Sequence, residues 1–404
     1  MAGAKYHHRI PQTYLRAWGE NVWFYDKETG VNEPRNIDSI MGQQFFHSIK
    51  AGSLFHTSKS LDKLFGCLDG FMVHFEEDGQ VIPLDTKELL NQYWFDFDNW
   101  VISDTSGNKL TKKQRNIIKT SISQIADNTI EEEWSSKFES EWSDVISQIY
   151  AGLQAIHEKK DVALTTAAFE AIIRYYVMFL WRSYTGFEEA RNTYDWLVGA
   201  VPELRDLDTE NPVHREDKTV GDEMWHEFLL SSYYKFLHGT GIMQKQYESY
   251  KDHLTVIAML DPTESLITSD VPCFEYIRED GLKEPIFIAL PGLLISLAKK
   301  DPDQPRSYRI IELSNDEVGE YNRIVFDYGK KIISKSEIDI LAFSDEDDIP
   351  ELTTEQADYI RSQQEKAITI VSDPEDPHYE PDEEKRLTAA RKLMREWEHA
   401  REKK

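Results

Sequence analysis

The sequence predicts an α+β fold: short N-terminal strands, a central helical bundle, C-terminal antiparallel strands, further helices and a charged helical tail. Two observations carry this. Strand-like runs flank a long middle stretch whose apolar residues recur at steps of three and four. The two kinds of run are segregated along the chain rather than alternating, which argues against a parallel doubly wound sheet.

The elements follow in order. Val22 to Tyr25 has strand composition, and Asp26 to Gly30 follows as a turn. Gln44 to His47 is a second aromatic stretch, a strand or a buried edge. Thr111 and Gln114 form a capping box ahead of Ile117, Ile118, Ile122 and Ile125. Trp134, Phe138, Trp142, Val145, Ile149, Leu153 and Ile156 form one helical stripe. Phe169 to Tyr184 is apolar almost all round, as expected of a helix covered on most sides, and Asp222 to Leu237 reads as a further helix. After Leu254 the period changes. Leu254–Leu260, Ser265–Thr268, Phe274–Ile277, Ile286–Leu290 and Arg309–Leu313 have strand composition, punctuated by Asp261-Pro262, Val271-Pro272 and Asp280-Gly281. Ser314 and Glu317 cap a last stripe of Val318, Tyr321, Val325, Tyr328 and Ile332. Residues 1–350 read as one domain and 351–404 as a helical, charge-segregated tail. Asp373 to Glu384 holds seven acids and three prolines, a linker, and Lys385 to Lys404 holds eight bases and three acids.

Composition sets the class. With 404 residues the chain can bury a sizeable core. Acids outnumber bases 73 to 46, which disfavours a sequence-independent nucleic-acid coat and favours a small nucleotide over a long polymer. Two distant cysteines, Cys67 and Cys273, fit a reducing cytoplasm. The N-terminus has no apolar region of the signal-peptide kind. The longest uncharged apolar stretch, Ile286 to Ala298, contains Pro291 and Gly292 and falls short of the roughly 18 to 20 residues that span a bilayer, so no membrane partner is expected. Phosphate loops, dinucleotide fingerprints, HExxH and GxSxG are missing. Glu158-Lys159-Lys160 after Asp144 imitates a nuclease spacing, but in a helical context that does not suit it.

Three places can carry chemistry. His7, His8, Arg9, Gln12 and Arg16 lie within ten residues, interleaved with Ile10, Tyr14, Leu15 and Trp18. Imidazole suits proton transfer and guanidinium suits an anion, while the same pattern also fits a terminus pinned by aromatic packing. Adjacent histidines point in different directions, so at most one faces a given ligand. Leu266 to Pro272 delivers Thr268, Ser269 and Asp270 to a turn, where Asp270 either orients a histidine, binds a metal, or accepts backbone N–H groups. Arg174 and Arg182 sit in the apolar helix and require an anion or an acidic partner, with Glu133 and Glu170 as candidates.

The block from His7 to Trp18 resembles the opening of the bacterial domain-of-unknown-function family 4238, with its His-rich start and Pro-Gln-x-Tyr-Leu-Arg segment. Val22–Gly30, Phe169–Arg182, the Thr-Ser-Asp-x-Pro turn at Ile267–Pro272, Pro285–Leu297 and Asn322 resemble further family segments in the same order. The likeness covers residues 5–340. Val271 stands where the family often has Asn, and Trp18 where it usually has Phe. The resemblance implies a bacterial or phage origin and no particular activity. It brings His7, His8, Arg16, Arg182 and Asp270 together as motif positions.

The expectation is a composite site: His7 or His8 as acid/base, Asp270 as orienter or metal ligand, Arg16 with Arg182 as anion clamp, and Arg9 and Ser269 touching substrate. Those types fit hydrolysis or transfer at a phosphate ester of a nucleotide or nucleic acid, with a divalent metal compatible. The alternative is a non-enzymatic protein, in phage–host conflict for example, that binds a protein partner through residues 373–404 or the aromatic N-terminal surface.

Overall fold

A computed structural model describes residues 6–44, 46–156, 166–183, 194, 207–209, 212–214, 217–277, 283–299 and 308–343, with isolated positions from 366 to 393. The chain divides into two compact units, Met1–Ile338 and Asp339–Lys404.

The first unit is α+β, as its residue pattern dictates. Strand β1 (Tyr6–His8) leads through Pro11 into the short helix α1 (Gln12–Leu15), and β2 (Asn21–Asp26) and β3 (Val31–Asn36) form a hairpin around the Asp26–Gly30 turn. Gly30 takes a φ of 70° there, a conformation that suits a residue without Cβ. Strand β4 (Gly42–Gln44) returns to pair antiparallel with β1. Helices α2 (Ser58–Phe65) and α3 (Lys87–Gln92) accompany a three-stranded antiparallel sheet of β5 (Met72–Glu77), β6 (Gln80–Pro83) and β7 (Trp100–Ser103), in the order β6-β5-β7.

The middle is helical. The capping box of Thr111 and Gln114 starts α4 (Lys112–Gln124), although only Ile122 of its isoleucines is buried and Ile117 is largely exposed. The long Trp134 stripe is not one helix. Helix α5 (Thr129–Lys137) ends where Phe138 takes φ −118° and ψ −58°, a 3-10 turn spans Glu139–Glu141, and α6 (Trp142–Ile156) continues. Trp134, Phe138, Trp142, Val145 and Ile149 are all buried across the break, so the apolar period survives a change of helix type. Helix α7 (Thr166–Arg182) is the covered central helix, with Phe169, Ile172, Ile173, Tyr176, Val177 and Phe179 inside. Then come α8 (Val220–Leu237), capped by Thr219 and Asp222, and α9 (Gly241–His253).

The late strands build two sheets. Strands β8 (Leu254–Leu260), β10 (Cys273–Ile277), β11 (Lys283–Leu290), β12 (Leu293–Lys299) and β13 (Tyr308–Glu312) order as β10-β11-β12-β8-β13, antiparallel except for the β8–β13 pair. The apolar stretch through Pro291-Gly292 is a hairpin of two strands rather than one. Strand β9 is only Thr268–Ser269, later than the sequence placed it. It joins β3-β2-β14-β9, where β14 (Lys331–Ser334) takes up Ile332, because α10 (Asn315–Tyr328) ends before that residue.

Tyr14 binds the start of the chain to these sheets. Its hydroxyl lies 2.7 Å from Thr268 Oγ1 and donates to the Ile288 carbonyl at 2.6 Å, and its ring packs on Phe179 and Phe287. Trp18 Nε1 donates to the Leu266 carbonyl.

In the second unit Ala390 and Leu393 are buried with Ile370 and Ala389 against them. Most of the 373–404 tail and all of Glu158–Lys160 lie outside the described residues. No helix among the described residues is long and apolar enough to cross a membrane.

Candidate functional site

In β1, neighbouring side chains leave on opposite faces. His7 is wholly buried, whereas His8 turns to Gln12, whose Nε2 lies 3.2 Å from His8 Nε2 and donates to Asp38 Oδ1 at 2.7 Å. Pairing with β4 carries the chain back past His7, so Phe46 and His47 arrive beside it. The His47 backbone N–H donates to His7 Nδ1 at 2.9 Å, and the two imidazoles stack with centroids 5.7 Å apart. Glu131, in the first turn of α5, brings Oε2 to 2.5 Å from His47 Nδ1. One donor atom from each of His7, His47 and Glu131 lies within 4.8 Å of the others.

Arg182, at the end of α7, sets the local field. Its side chain is fully buried, with Nη1 3.3 Å from Glu139 Oε1 and Nη2 3.9 Å from Glu131 Oε2. Nη2 also donates to the His8 carbonyl, and the guanidinium lies over the Trp134 ring. Burial holds the His47 ring well below the usual imidazole range, against the pull of Glu131. Burial also pushes Glu131 up, but His47 and Arg182 overcome it and hold the carboxyl below its usual range. Glu139 is pushed up by burial and by Glu131, despite Arg182. At neutral pH, His47 is thus neutral and Glu131 ionised. The His47 proton sits on Nδ1, donated to Glu131, and Nε2 keeps a buried lone pair with no hydrogen-bond partner among the described residues.

Only part of the expected constellation is realised here. His7 belongs to the group. Burial lowers the His8 imidazole, and Glu131, Arg182 and Asp38 all act on it. The Arg9 guanidinium lies over the Phe46 ring at 4.5 Å. Arg16 is exposed just past α1. Arg182 is not an open anion clamp: Glu131 and Glu139 already oppose its charge, because a guanidinium in an apolar helix needs acidic partners. Asp270 does not orient a histidine. Its Oδ1 accepts the backbone N–H groups of Lys330 and Lys331, which ties β9 to β14. Ser269 is wholly buried: its Oγ accepts the Val271 N–H, and a Cβ at Gly329 would collide with its side chain. The first and fourth motifs do meet, but through Tyr14 and Thr268. Arg174 lies 3.9 Å from Glu141, while Glu133 pairs with Lys137 and Glu170 lies 4.0 Å from Lys251.

His47 and Glu131 were not among the expected site residues. They stand 40 and 124 positions after His7, with no motif spacing to join them. The one sequence signal was the aromatic edge at Gln44–His47.

A family model described as "Protein of unknown function (DUF4238)" matches residues 6–337, a span that holds all three residues of the group. No curated protein and no solved structure matches the chain.

Proposed function

The chain belongs to the DUF4238 family, and on that premise we propose that His7, His47 and Glu131 hold a divalent transition-metal ion that serves hydrolysis or transfer at a phosphate ester of a nucleotide or nucleic acid. The observation that carries this reading is the convergence of three donors, from three separate elements, within 4.8 Å. Two imidazoles and a carboxylate form a ligand set for zinc or a neighbouring first-row dication.

Charge and protonation point the same way. A neutral imidazole and an ionised carboxylate need lose no proton to the solvent before a metal enters. A ring held that far below neutrality is a poor general base, which favours a ligand role over proton abstraction. Two carboxylates, Glu131 and Glu139, face the one guanidinium of Arg182, which suits an added cation. Bonds of about 2.0–2.2 Å to a common ion are within reach of small shifts of donors that already lie within 4.8 Å of one another. The ion would supply Lewis acidity and activate a bound water. Arg16, exposed on the same N-terminal segment, supports an anionic substrate, and the acidic net charge favours a small nucleotide. The setting is a reducing cytoplasm, consistent with Cys67 and Cys273 being free thiols.

The test is metal uptake. After exposure to Co2+ and exhaustive dialysis, the purified chain is expected to retain one ion with visible absorption bands. His47→Ala should abolish retention, and Glu131→Gln, which keeps an oxygen but loses the charge, should weaken it. A wild-type chain that retains no Co2+ or Zn2+ refutes the metal centre. A loaded chain that turns over no phosphodiester or nucleotide in a substrate panel refutes the chemistry.

A second reading has an observation of its own: Asp339–Lys404 forms a separate compact unit, which suits a partner-binding appendage. Deleting residues 373–404 should then abolish partner binding and leave Co2+ retention unchanged.

A further inference from the structure

We infer that the peptide group between Phe46 and His47 is a latch on the His7–His47–Glu131 group, and that His226 is the positioning residue that keeps it closed. This inference rests on the metal-centre reading above.

One planar amide serves two histidines. Its N–H, from His47, donates to His7 Nδ1 at 2.9 Å. Its carbonyl, from Phe46, lies 2.7 Å from His226 Nε2. A carbonyl only accepts, so His226 Nε2–H is the donor. The peptide unit is rigid, so rotating it breaks both hydrogen bonds together. His226 is in turn braced from behind. Its Nδ1 lies 3.1 Å from Asp217 Oδ2 and 3.4 Å from Oδ1. The His214 ring stacks on it with centroids 3.8 Å apart, and the Phe46 ring packs against it at 4.6 Å. His226 is buried in α8, so this brace belongs to the packed interior.

The consequence lies in the His7 tautomer. While Nδ1 accepts the His47 N–H, the ring proton of a neutral His7 sits on Nε2, and Nδ1 is the nitrogen with a lone pair. A metal ligated by His7 must therefore compete with the amide for Nδ1. By fixing the other end of that amide, His226 strengthens the competitor. It acts on the affinity of the centre without touching the ion.

This sets the direction of the test, because most damage near a metal site lowers affinity. His226→Leu keeps the bulk and removes the donor. His226→Gln keeps an N–H that can reach the carbonyl. Co2+ affinity is measured by competition with a chromophoric chelator on the full chain. The imidazole 15N shifts of the metal-free protein report whether His7 Nδ1 still accepts a hydrogen bond. His226→Leu is expected to bind Co2+ about 3- to 10-fold more tightly, the equivalent of one competing hydrogen bond. His7 Nδ1 should lose its hydrogen-bonded shift in that variant, while His226→Gln stays close to wild type in both measurements.

Unchanged His7 shifts in His226→Leu overturn the latch. So does equal or weaker Co2+ binding by a variant that keeps the wild-type near-UV spectrum. If His226→Leu does not fold, His226→Gln and Asp217→Asn decide. The latch then fails if Asp217→Asn leaves both the His7 shifts and the Co2+ affinity unchanged. A wild type that binds no Co2+ while His7 Nδ1 shows its hydrogen-bonded shift refutes the metal reading, and with it the role of the latch, but leaves the clamp on the peptide in place.

Discussion

Two buried imidazole–carboxylate pairs, His47–Glu131 and His214–Glu227, are built from the same residue types, yet their carboxyls shift in opposite directions. Burial pushes both carboxyls up. At Glu131 the His47 ring at 2.5 Å and the Arg182 guanidinium reverse the effect, and the group stays ionised. At Glu227 burial wins. The backbone N–H of Phe55, His226 and the Ser53–Leu54 segment oppose it without overcoming it, and the carboxyl is pushed up to about 7. The His214 ring is 4.0 Å away, and its Nε2 and Glu227 Oε1 are both buried without a hydrogen-bond partner among the described residues. Burial, His226 and Lys50 hold that ring well below the usual range. A buried guanidinium and a close ring N–H thus set which way a buried glutamate shifts. Residue identity alone does not.

The strongest way to break this contrast is to remove the guanidinium. Arg182→Met leaves Glu131 and Glu139 buried without their cation and should cost about 3–5 kcal/mol in urea unfolding. Glu131 should then come to resemble Glu227. A loss below about 1 kcal/mol would mean that the two environments differ for another reason.

Next in size is a pH effect of opposite sign at the two pairs. Between about pH 4.5 and 7 the folded chain holds a proton on Glu227 that the unfolded chain has lost, so stability falls as pH rises through that window. The full contribution is on the order of 3 kcal/mol, and Glu227→Gln should remove it, leaving the rise of stability with pH that the lowered His47 and His214 rings supply. Glu131 and His47, both shifted down, contribute stability that is present at neutral pH and lost on acidification. Urea midpoints from pH 4 to 8 in wild type and Glu227→Gln separate these effects.

Glu131→Gln tests the first pair more gently. The amide oxygen still accepts from His47 Nδ1 but no longer faces Arg182 with a charge. A loss of about 1–3 kcal/mol is expected, again from urea midpoints. The smallest effect is at Arg16→Ala, an exposed site whose midpoint should stay within about 0.5 kcal/mol of wild type.

Local signals in the sequence were legible. The Thr111–Gln114 and Ser314–Glu317 capping boxes are where the side chains demand them, because a cap is settled within four residues. The break at Phe138 was not legible, since steps of three and four run through the 3-10 turn without a Gly or Pro to mark it. Of the hairpin at Pro291-Gly292 only the first strand was legible, at Ile286–Leu290; the second is buried and has no polar alternation to mark it. At the site, His7 stood out as part of a dense polar block. His47 and Glu131 did not, because only the pairing of β1 with β4 and the packing of α5 bring them together. At Asp270 the sequence left a ligand role and a backbone-bonding turn open together, because a carboxylate that ties two strands looks, in sequence, like one that serves a ligand.

The anchorage of Tyr14 also governs the order of events during synthesis. Its partners, Thr268 and Ile288, leave the ribosome more than 250 residues later. Strand β1 can pair with β4 early, but Tyr14 and Trp18, in the leading segment, have no berth for most of translation, and long-range contacts of this kind form late. Nascent chains stalled before Ile288 should leave that leading segment open to protease, and release of the remaining polypeptide should close it.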